Sequence, residues 1–362
     1  MRVHGTTLSA LDAHGQFVAA LIRSARKAHA AGAVLRLSAT EPSPVGMLGF
    51  TDLHGHAEGL IDHIAQALIV GRPALYAHQV GWLKQAFAAR GSDLGTLRRL
   101  LLALRDELAS ALPAEAARTA AAVADSGIGY FEVAPTHSPS PLEQRGPHVD
   151  LARRYLLSAF EGRRLDAISL VEEAIADGLS VPDLYAHVLC PAQIEIGRMW
   201  QRGEIHVAEE HMSSRITEQV MGLVNVRMPR KPRNGKRVLI TSANGDLHDI
   251  GLRMVADHFE MGGWDVVFLG ASTPAEDVAL AVRDFEVDLV AVAAKLVLHV
   301  RSTAELVQTV REEPFGRRVP VLVGGAAFQI VPDLWRIIGA DGVAASAVEA
   351  VSVGDKLTAR AA

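Results

Sequence analysis

Apolar positions along the chain fall into three successive patterns. Up to about residue 145 they follow a helical period. Residues 12–31 predict a helix, and residues 31–47 a loop marked by Pro42, Ser43 and Pro44. Residues 50–70 and 73–90 predict two further helices, separated by Gly71-Arg72-Pro73. A proline in a first helical turn costs little, because its missing donor would be unpaired there anyway. Leu97, Leu100, Leu101, Leu104 and Leu108 line one face of a helix over residues 94–112, and residues 113–125 form an alanine-rich helix. Residues 134–147, with four prolines and several serines, have the composition of a linker.

Between about 148 and 228 the pattern predicts four helices, at residues 150–160, 165–177, 181–202 and 206–226. Short connections imply antiparallel neighbours and hence a four-helix bundle. The exit, Met228-Pro229-Arg230-Lys231-Pro232-Arg233-Asn234-Gly235-Lys236, is basic and proline-broken, as in a solvated linker. From about 236 the period changes. Short valine-rich runs at 238–243, 266–269, 289–293, 321–323 and 342–345 alternate with helical stretches at 250–261, 274–285, 303–313, 332–338 and 347–357. Such alternation predicts a doubly wound parallel sheet with helices on both faces. The expected architecture is therefore α and α/β multidomain. An all-helical N-terminal domain (1–147) precedes a four-helix bundle (148–228) and a Rossmann-like domain (236–362).

The 362 residues suffice for two or three domains with ordinary cores. The net charge of −5 is not concentrated in a tail or block, so a general affinity for nucleic acid is not expected. The lone cysteine, Cys190, excludes an intrachain disulfide or a multi-cysteine metal site, and its default role is a small core residue. No signal-peptide pattern opens the chain, and no uncharged apolar run approaches the ~20 residues that span a bilayer. A cytoplasmic protein without membrane partners is expected.

Doubly wound folds bind ligands at the carboxyl ends of their strands. The loop after the first strand reads Asn244-Gly245-Asp246-Leu247-His248-Asp249-Ile250-Gly251. A carboxylate two residues before a histidine can hold the proton on one ring nitrogen and leave the other free for a metal. Gly251 removes a side chain where a bulky group would pass, and Gly324-Gly325 ends the fourth strand, where a ligand can approach the backbone. Taken singly, each feature has a structural explanation: a polar helix start for His248, an N-cap for Asp246, a turn for the glycines.

Together, in this order and on this topology, these residues resemble the cobalamin-binding domain of methionine synthase, the corrinoid methyl carriers and the cobalamin-dependent mutases. Their pattern is Asp-x-His-x-x-Gly after the first strand and Gly-Gly after the fourth. The resemblance implies that His248 is the lower cobalt ligand, displacing the cofactor's own base, whose tail inserts toward Gly324 and Gly325. One stretch departs: Ala293 and Val297 stand where family members usually carry Ser and Thr. Lys295 either meets a cofactor amide or phosphate there or is solvated.

The bundle carries a second signature. Trp200 is followed, after nine intervening residues, by Glu210-His211. This resembles the Trp-x9-Glu-His motif of the light-sensing adenosylcobalamin repressors, in which the tryptophan packs on the adenosyl group and the Glu-His pair contacts it. The alternative is a core tryptophan with a solvated helix face. Those repressors place a histidine directly after the tryptophan. Here Gln201 stands there, an amide being a poor cobalt ligand, so water, His206 or His211 would take the upper position after light.

The N-terminal block lacks a winged DNA-binding domain and a clustered basic helix. It holds His54, His56, His63, His78, Tyr76, Trp82 and Phe87. A helical domain of this size resembles a globin-like or phycobilin-type pocket, and the whole arrangement resembles the photocobilins. That resemblance implies biliverdin beside adenosylcobalamin, held without a thioether, with Arg72, His78 and Arg98 as partners for its propionates and carbonyls. The expected function is a non-enzymatic light sensor in which photolysis of the cobalt–carbon bond alters conformation or quaternary structure. It is expected to form a homo-oligomer through the bundle or N-terminal domain. No catalytic domain follows residue 358 in this sequence, so the effector is expected either as a separate partner or as a domain beyond the sequence in hand. The alternative is the corrinoid methyl carrier of a methyltransferase system. A mutase subunit is disfavoured because no eightfold strand–helix run accompanies the domain.

Overall fold

The computed structural model describes residues 12–40, 52–143 and 145–361. Six helices come first: α1 (Ala13–Ser24), α2 (Arg26–Thr40), α3 (Leu53–Val70), α4 (Pro73–Ala89), α5 (Leu94–Ala111) and α6 (Ala114–Val133). The predicted loop over 31–47 is corrected: residues 31–40 continue α2, and 41–47 lie outside the described residues. Ala30, Ala33 and Leu37 of α2 are buried, and α2 packs on α3 and α5, so tertiary burial outweighs the local Ala-Gly signal. Helix α6 also outruns its predicted end at 125. Its last turn is tied to α4 by Lys84, whose buried ammonium donates to the Phe131 carbonyl (2.6 Å) and the Ala134 carbonyl (2.7 Å).

The bundle comprises α7 (Val149–Phe160), α8 (Arg164–Ala176), a composite third helix and α11 (Val207–Arg227). The third helix is α9 (Val181–Leu184), a π-helical turn (Tyr185–Leu189) and α10 (Cys190–Arg202). The widened turn precedes Pro191, which has no N–H to give to a regular ladder. Both predicted linkers are held down. Leu142 is buried in the bundle core, and Arg153 donates to its carbonyl at 2.6 and 3.0 Å. The basic exit is pinned to the sheet domain through Lys231 N–H to the Met261 carbonyl (3.0 Å) and the Arg230–Glu260 ion pair (2.7 Å).

The sheet domain holds β1 (Arg237–Ser242), α12 (Ile250–Met261), β2 (Asp265–Gly270), α13 (Ala275–Asp284), β3 (Leu289–Ala293), α14 (Val300–Glu312), β4 (Val321–Gly324), α15 (Ala327–Ile330), α16 (Leu334–Ile337), β5 (Gly342–Ala344) and α17 (Ala347–Ala361). All pairings are parallel, in the order β2-β1-β3-β4-β5. Val238 and Ile240 of β1 and Leu289 and Ala291 of β3 enter one core, while Leu239, Val290 and Val292 enter the other. Alternate residues are thus buried on opposite faces, as two covering helical layers require.

The three parts share contacts. One apolar core runs from the N-terminal helices into the sheet face that carries α13 and α14. Helix α3 packs on α14 and on the 3-10 turn Val297–His299, and α4 packs on α10 and α15. The bundle core takes Met254 from α12. Tyr185 of the π-helical turn donates to Asp257 of α12 at 2.5 Å, and Asn225 of α11 donates to the other carboxylate oxygen at 2.7 Å. No helix of the described residues is long and apolar enough to cross a membrane.

Candidate cobalamin site

In this strand order the direction of winding reverses between β1 and β3, so their following loops part and leave a crevice. Asp246 joins those two loops. Its side chain is 1% exposed. Oδ1 accepts from His248 Nδ1 (2.7 Å) and from the His248 backbone N–H (3.1 Å), while Oδ2 accepts the Lys295 backbone N–H (2.6 Å). Burial opposes ionisation of this carboxyl. The donors from His248 and Lys295, with the His299 ring 3.2 Å away, outweigh it and hold the group well below the usual carboxylate range. With its Nδ1 proton on a carboxylate, His248 keeps the Nε2 lone pair free, on a side chain that is 53% exposed.

Other residues fix this loop. Ser242, buried at the end of β1, donates to the Asp246 carbonyl (2.6 Å) and accepts the Ser272 N–H (2.8 Å). Ser272, after β2, accepts the Gly245 N–H (2.9 Å). These serines and His299 were missing from the sequence-derived set. The serines stand at the ends of their strands, a position that could have flagged them, whereas nothing local marks His299.

The glycines differ in what they do. A Cβ on Gly251 would meet nothing within 4 Å, so the space over the first turn of α12 is open. At Gly325, φ is +97° and a Cβ would lie 2.4 Å from the Ala294 carbonyl oxygen. That glycine is required by backbone contact between the β3 and β4 loops, whatever passes above it. At Gly324 a Cβ would lie 3.1 Å from the Ala344 carbonyl oxygen. The Lys295 side chain is exposed, and its backbone N–H rather than its ammonium makes the contact with Asp246.

The bundle lies close to this loop. Arg215 of α11 is held above its usual value chiefly by Glu218, with Asp249 and Glu210 adding to the effect, so α11 approaches the residue beside His248. Burial raises the Cys190 thiol, partly opposed by the nearby charge of Lys295. Trp200 is 45% exposed at the end of α10. Glu210 pairs with His211 and accepts from Ser214 at 2.7 Å. His206 caps α11 reciprocally with Glu209, a structural role.

Gln201 is 7% exposed and donates to the Trp82 carbonyl of α4 at 3.0 Å. It is therefore an anchor between bundle and N-terminal domain, turned away from any upper-ligand role. The three residues expected around a bilin are not joined by a common contact. Arg72 pairs with Asp333 of the sheet domain (2.6 Å), Arg98 pairs with Glu132 of α6 (2.6 Å), and His78 is exposed on α4. Arg72 thus serves the junction between domains.

The donor set fits a corrinoid. One imidazole of fixed tautomer is a sufficient protein contribution to a metal whose in-plane ligands come from a macrocycle. The open space at Gly251 leaves room for a bulky group beside it.

Comparison with known proteins agrees. Residues 236–352 and 151–225 each match a family described as B12 binding domain. The chain is 27% identical over 194 residues to a corrinoid protein of Desulfitobacterium hafniense, covering 52% of this chain and 88% of that protein. It is 28% identical over 191 residues to a monomethylamine corrinoid protein of Methanosarcina mazei, covering 51% and 86%. The solved monomethylamine corrinoid protein of Methanosarcina barkeri shares the fold, with a TM-score of 0.52 and 22% identity over 58% of this chain and 99% of that one. Fold, loop and likenesses together define a cobalamin-binding protein. Its six N-terminal helices fall outside both family matches.

Proposed function

We propose that the chain carries a corrinoid with His248 as the lower cobalt ligand and serves as the methyl-carrying partner of a methyltransferase. The observation that carries this reading is the Asp246–His248 pair at the crevice between β1 and β3, with the histidine side chain half-exposed. The corrinoid relatives, which include dimethylamine and monomethylamine corrinoid proteins, favour methyl carriage over light sensing. A bound corrinoid supplies a cobalt centre that takes up and passes on a methyl group. Asp246 holds the proton on Nδ1 and keeps Nε2 basic. Lys295 N–H fixes the carboxylate, and the bundle shields the cofactor from water until a partner enzyme engages it.

Light sensing through adenosylcobalamin is the second reading. It is favoured by the half-exposed Trp200 and the Glu210–His211 pair. The N-terminal helices bear on it too, since they contact both bundle and sheet and are suited to transmit a change. Biliverdin in those helices would need partners other than Arg72 and Arg98, which are already paired.

The test is to load the protein separately with hydroxocobalamin, methylcobalamin and adenosylcobalamin, desalt it, and record spectra in the dark and after green light. Methyl carriage predicts retention of the first two, a histidine-dependent spectrum lost in His248→Ala, and transfer of the methyl group when a partner methyltransferase is added. Selective retention of the adenosyl form, with a light-dependent change in sedimentation, would instead establish the sensor. A protein that keeps no corrinoid after desalting would refute both.

A further inference from the structure

The three parts of the molecule are joined in two different ways. Between the N-terminal helices and the sheet domain the join is apolar: Ile64, Leu68 and Leu75 belong to the same buried core as Val300, Val307 and Phe328. Between those helices and the bundle it is polar. The bundle core draws on Ile250, Met254 and Met261 of α12 and, among the described residues, on none of the N-terminal helices. Helices α4 and α10 meet instead through hydrogen bonds, at the end of α10 that carries Trp200.

Gln201, 7% exposed, donates to the Trp82 carbonyl at 3.0 Å. Arg90, at the end of α4, donates to the Gln201 carbonyl and, at 3.3 Å, to the Trp200 carbonyl. A guanidinium at a helix C-terminus also meets the negative end of the helix dipole. Gly203 admits it: φ is +72°, and a Cβ there would lie 2.8 Å from Arg90 Nε. Each of these hydrogen bonds can be exchanged for one to water, whereas an apolar core parts only by exposing its surface. The bundle is therefore the body that can leave. The N-terminal helices and the sheet domain together are the frame that it leaves.

The bundle's other tie to that frame is at α12, where Tyr185 and Asn225 donate to Asp257. The covalent connection joins there too, with the Lys231 N–H on the Met261 carbonyl at the end of α12. Tie and connection make one end of the bundle fixed, and the Trp200 end releasable. We propose that the N-terminal helices are a latch, engaged by Arg90 and Gln201, that holds the bundle shut on the sheet domain, and that the bundle opens about its tie to α12 when the latch parts. A partner enzyme that must reach a bound corrinoid then acts on a released bundle. That consequence rests on the methyl-carrier reading; the latch itself does not.

Cys190, the single cysteine of the chain and the first residue of α10, reports the opening. It lies between the fixed and the latched end, its thiol near the charge of Lys295 at the crevice, and burial suppresses its reactivity. The experiment labels the full chain, without corrinoid, with a bulky fluorescent maleimide and follows the rate at Cys190. When closing is faster than labelling, the rate measures the open population. A variant combining Arg90→Ala with Gln201→Ala is expected to label about tenfold faster, since each hydrogen bond lost is worth roughly a factor of two to ten. Arg72→Ala, which removes an ion pair between the N-terminal helices and the sheet domain, is expected to label at the wild-type rate. An unchanged rate in the double variant would overturn the proposal. Equal acceleration by Arg72→Ala would overturn it as well, because general loosening gives that result. If the double variant does not fold, faster labelling of Gln201→Leu, which keeps the volume without the donor, supports the latch, and a wild-type rate overturns it. Since the readout needs no cofactor, a chain that kept no corrinoid would remove the methyl-carrier reading and leave this measurement of the latch standing.

Discussion

Gln201 of the bundle and Trp82 of the N-terminal domain are joined by a 3.0 Å hydrogen bond from the glutamine amide to the tryptophan carbonyl. The same junction includes Arg90 at the end of α4, which donates to the carbonyls of Gln201 and Trp200. The end of α10 that carries Trp200 is therefore clamped by a domain outside both family matches. A cap that must move to expose its cofactor would have to release this clamp.

Gln201→Ala should loosen that junction. The Trp82 carbonyl, which also accepts within its own helix, loses one hydrogen bond, at a cost of about 0.5–1.5 kcal/mol. Hydrogen exchange should accelerate at the end of α10, while the sheet domain keeps its protection. Unchanged exchange in α10 would show that Arg90 alone holds the junction.

Asp246→Asn should weaken corrinoid binding by roughly 10- to 100-fold, the usual scale for a residue that orients a metal ligand. Titration of hydroxocobalamin by absorbance measures it. The ionised carboxylate also stabilises the fold. Its folded pKa is depressed, so that contribution is present above the unfolded aspartate value of about 3.9 and is lost as pH falls through the lower folded value. Below about pH 4 the wild type should therefore lose more stability than the variant, as seen in denaturant midpoints.

Tyr185→Phe should destabilise the contact between bundle and sheet. Asp257 is buried, and burial raises its pKa despite the donors Tyr185 and Asn225. Removing the phenol takes away a donor that stabilises the ionised carboxylate more than the neutral acid. The loss should be about 1–3 kcal/mol at neutral pH and smaller in acid, where Asp257 is protonated. Equal losses at both pH values would mean that Tyr185 acts by packing alone.

Gly325 and Gly251 should separate folding from binding. Gly325→Ala places a Cβ at positive φ, which costs about 1–2 kcal/mol before the overlap with Ala294 is added. Its denaturant midpoint should fall. Gly251→Trp projects into open space and should leave the midpoint nearly unchanged while reducing hydroxocobalamin affinity. A Gly251→Trp protein that binds normally would place the cofactor elsewhere.

Much of this protein is legible in its sequence because the signals are local. The change from helical to strand–helix periodicity predicts the parallel sheet, since each strand must be apolar on both faces. Asp246 and His248 lie in one loop, so their pairing follows from spacing alone. What the sequence hides are contacts between residues far apart in the chain. Arg72 reaches Asp333 and Gln201 reaches Trp82 only when the domains close on one another, and His299 comes beside Asp246 only when the loops after β1 and β3 meet at the folded sheet edge. Arg72, Gln201 and Lys295 carry side chains that suit ligands and interfaces equally well, and composition cannot distinguish the two. The period of the chain determined its elements and the histidine loop. Tertiary packing decided which polar groups stay open to the crevice and which are used up holding the domains together, because each such group has few bonds to give and spends them on its nearest partner.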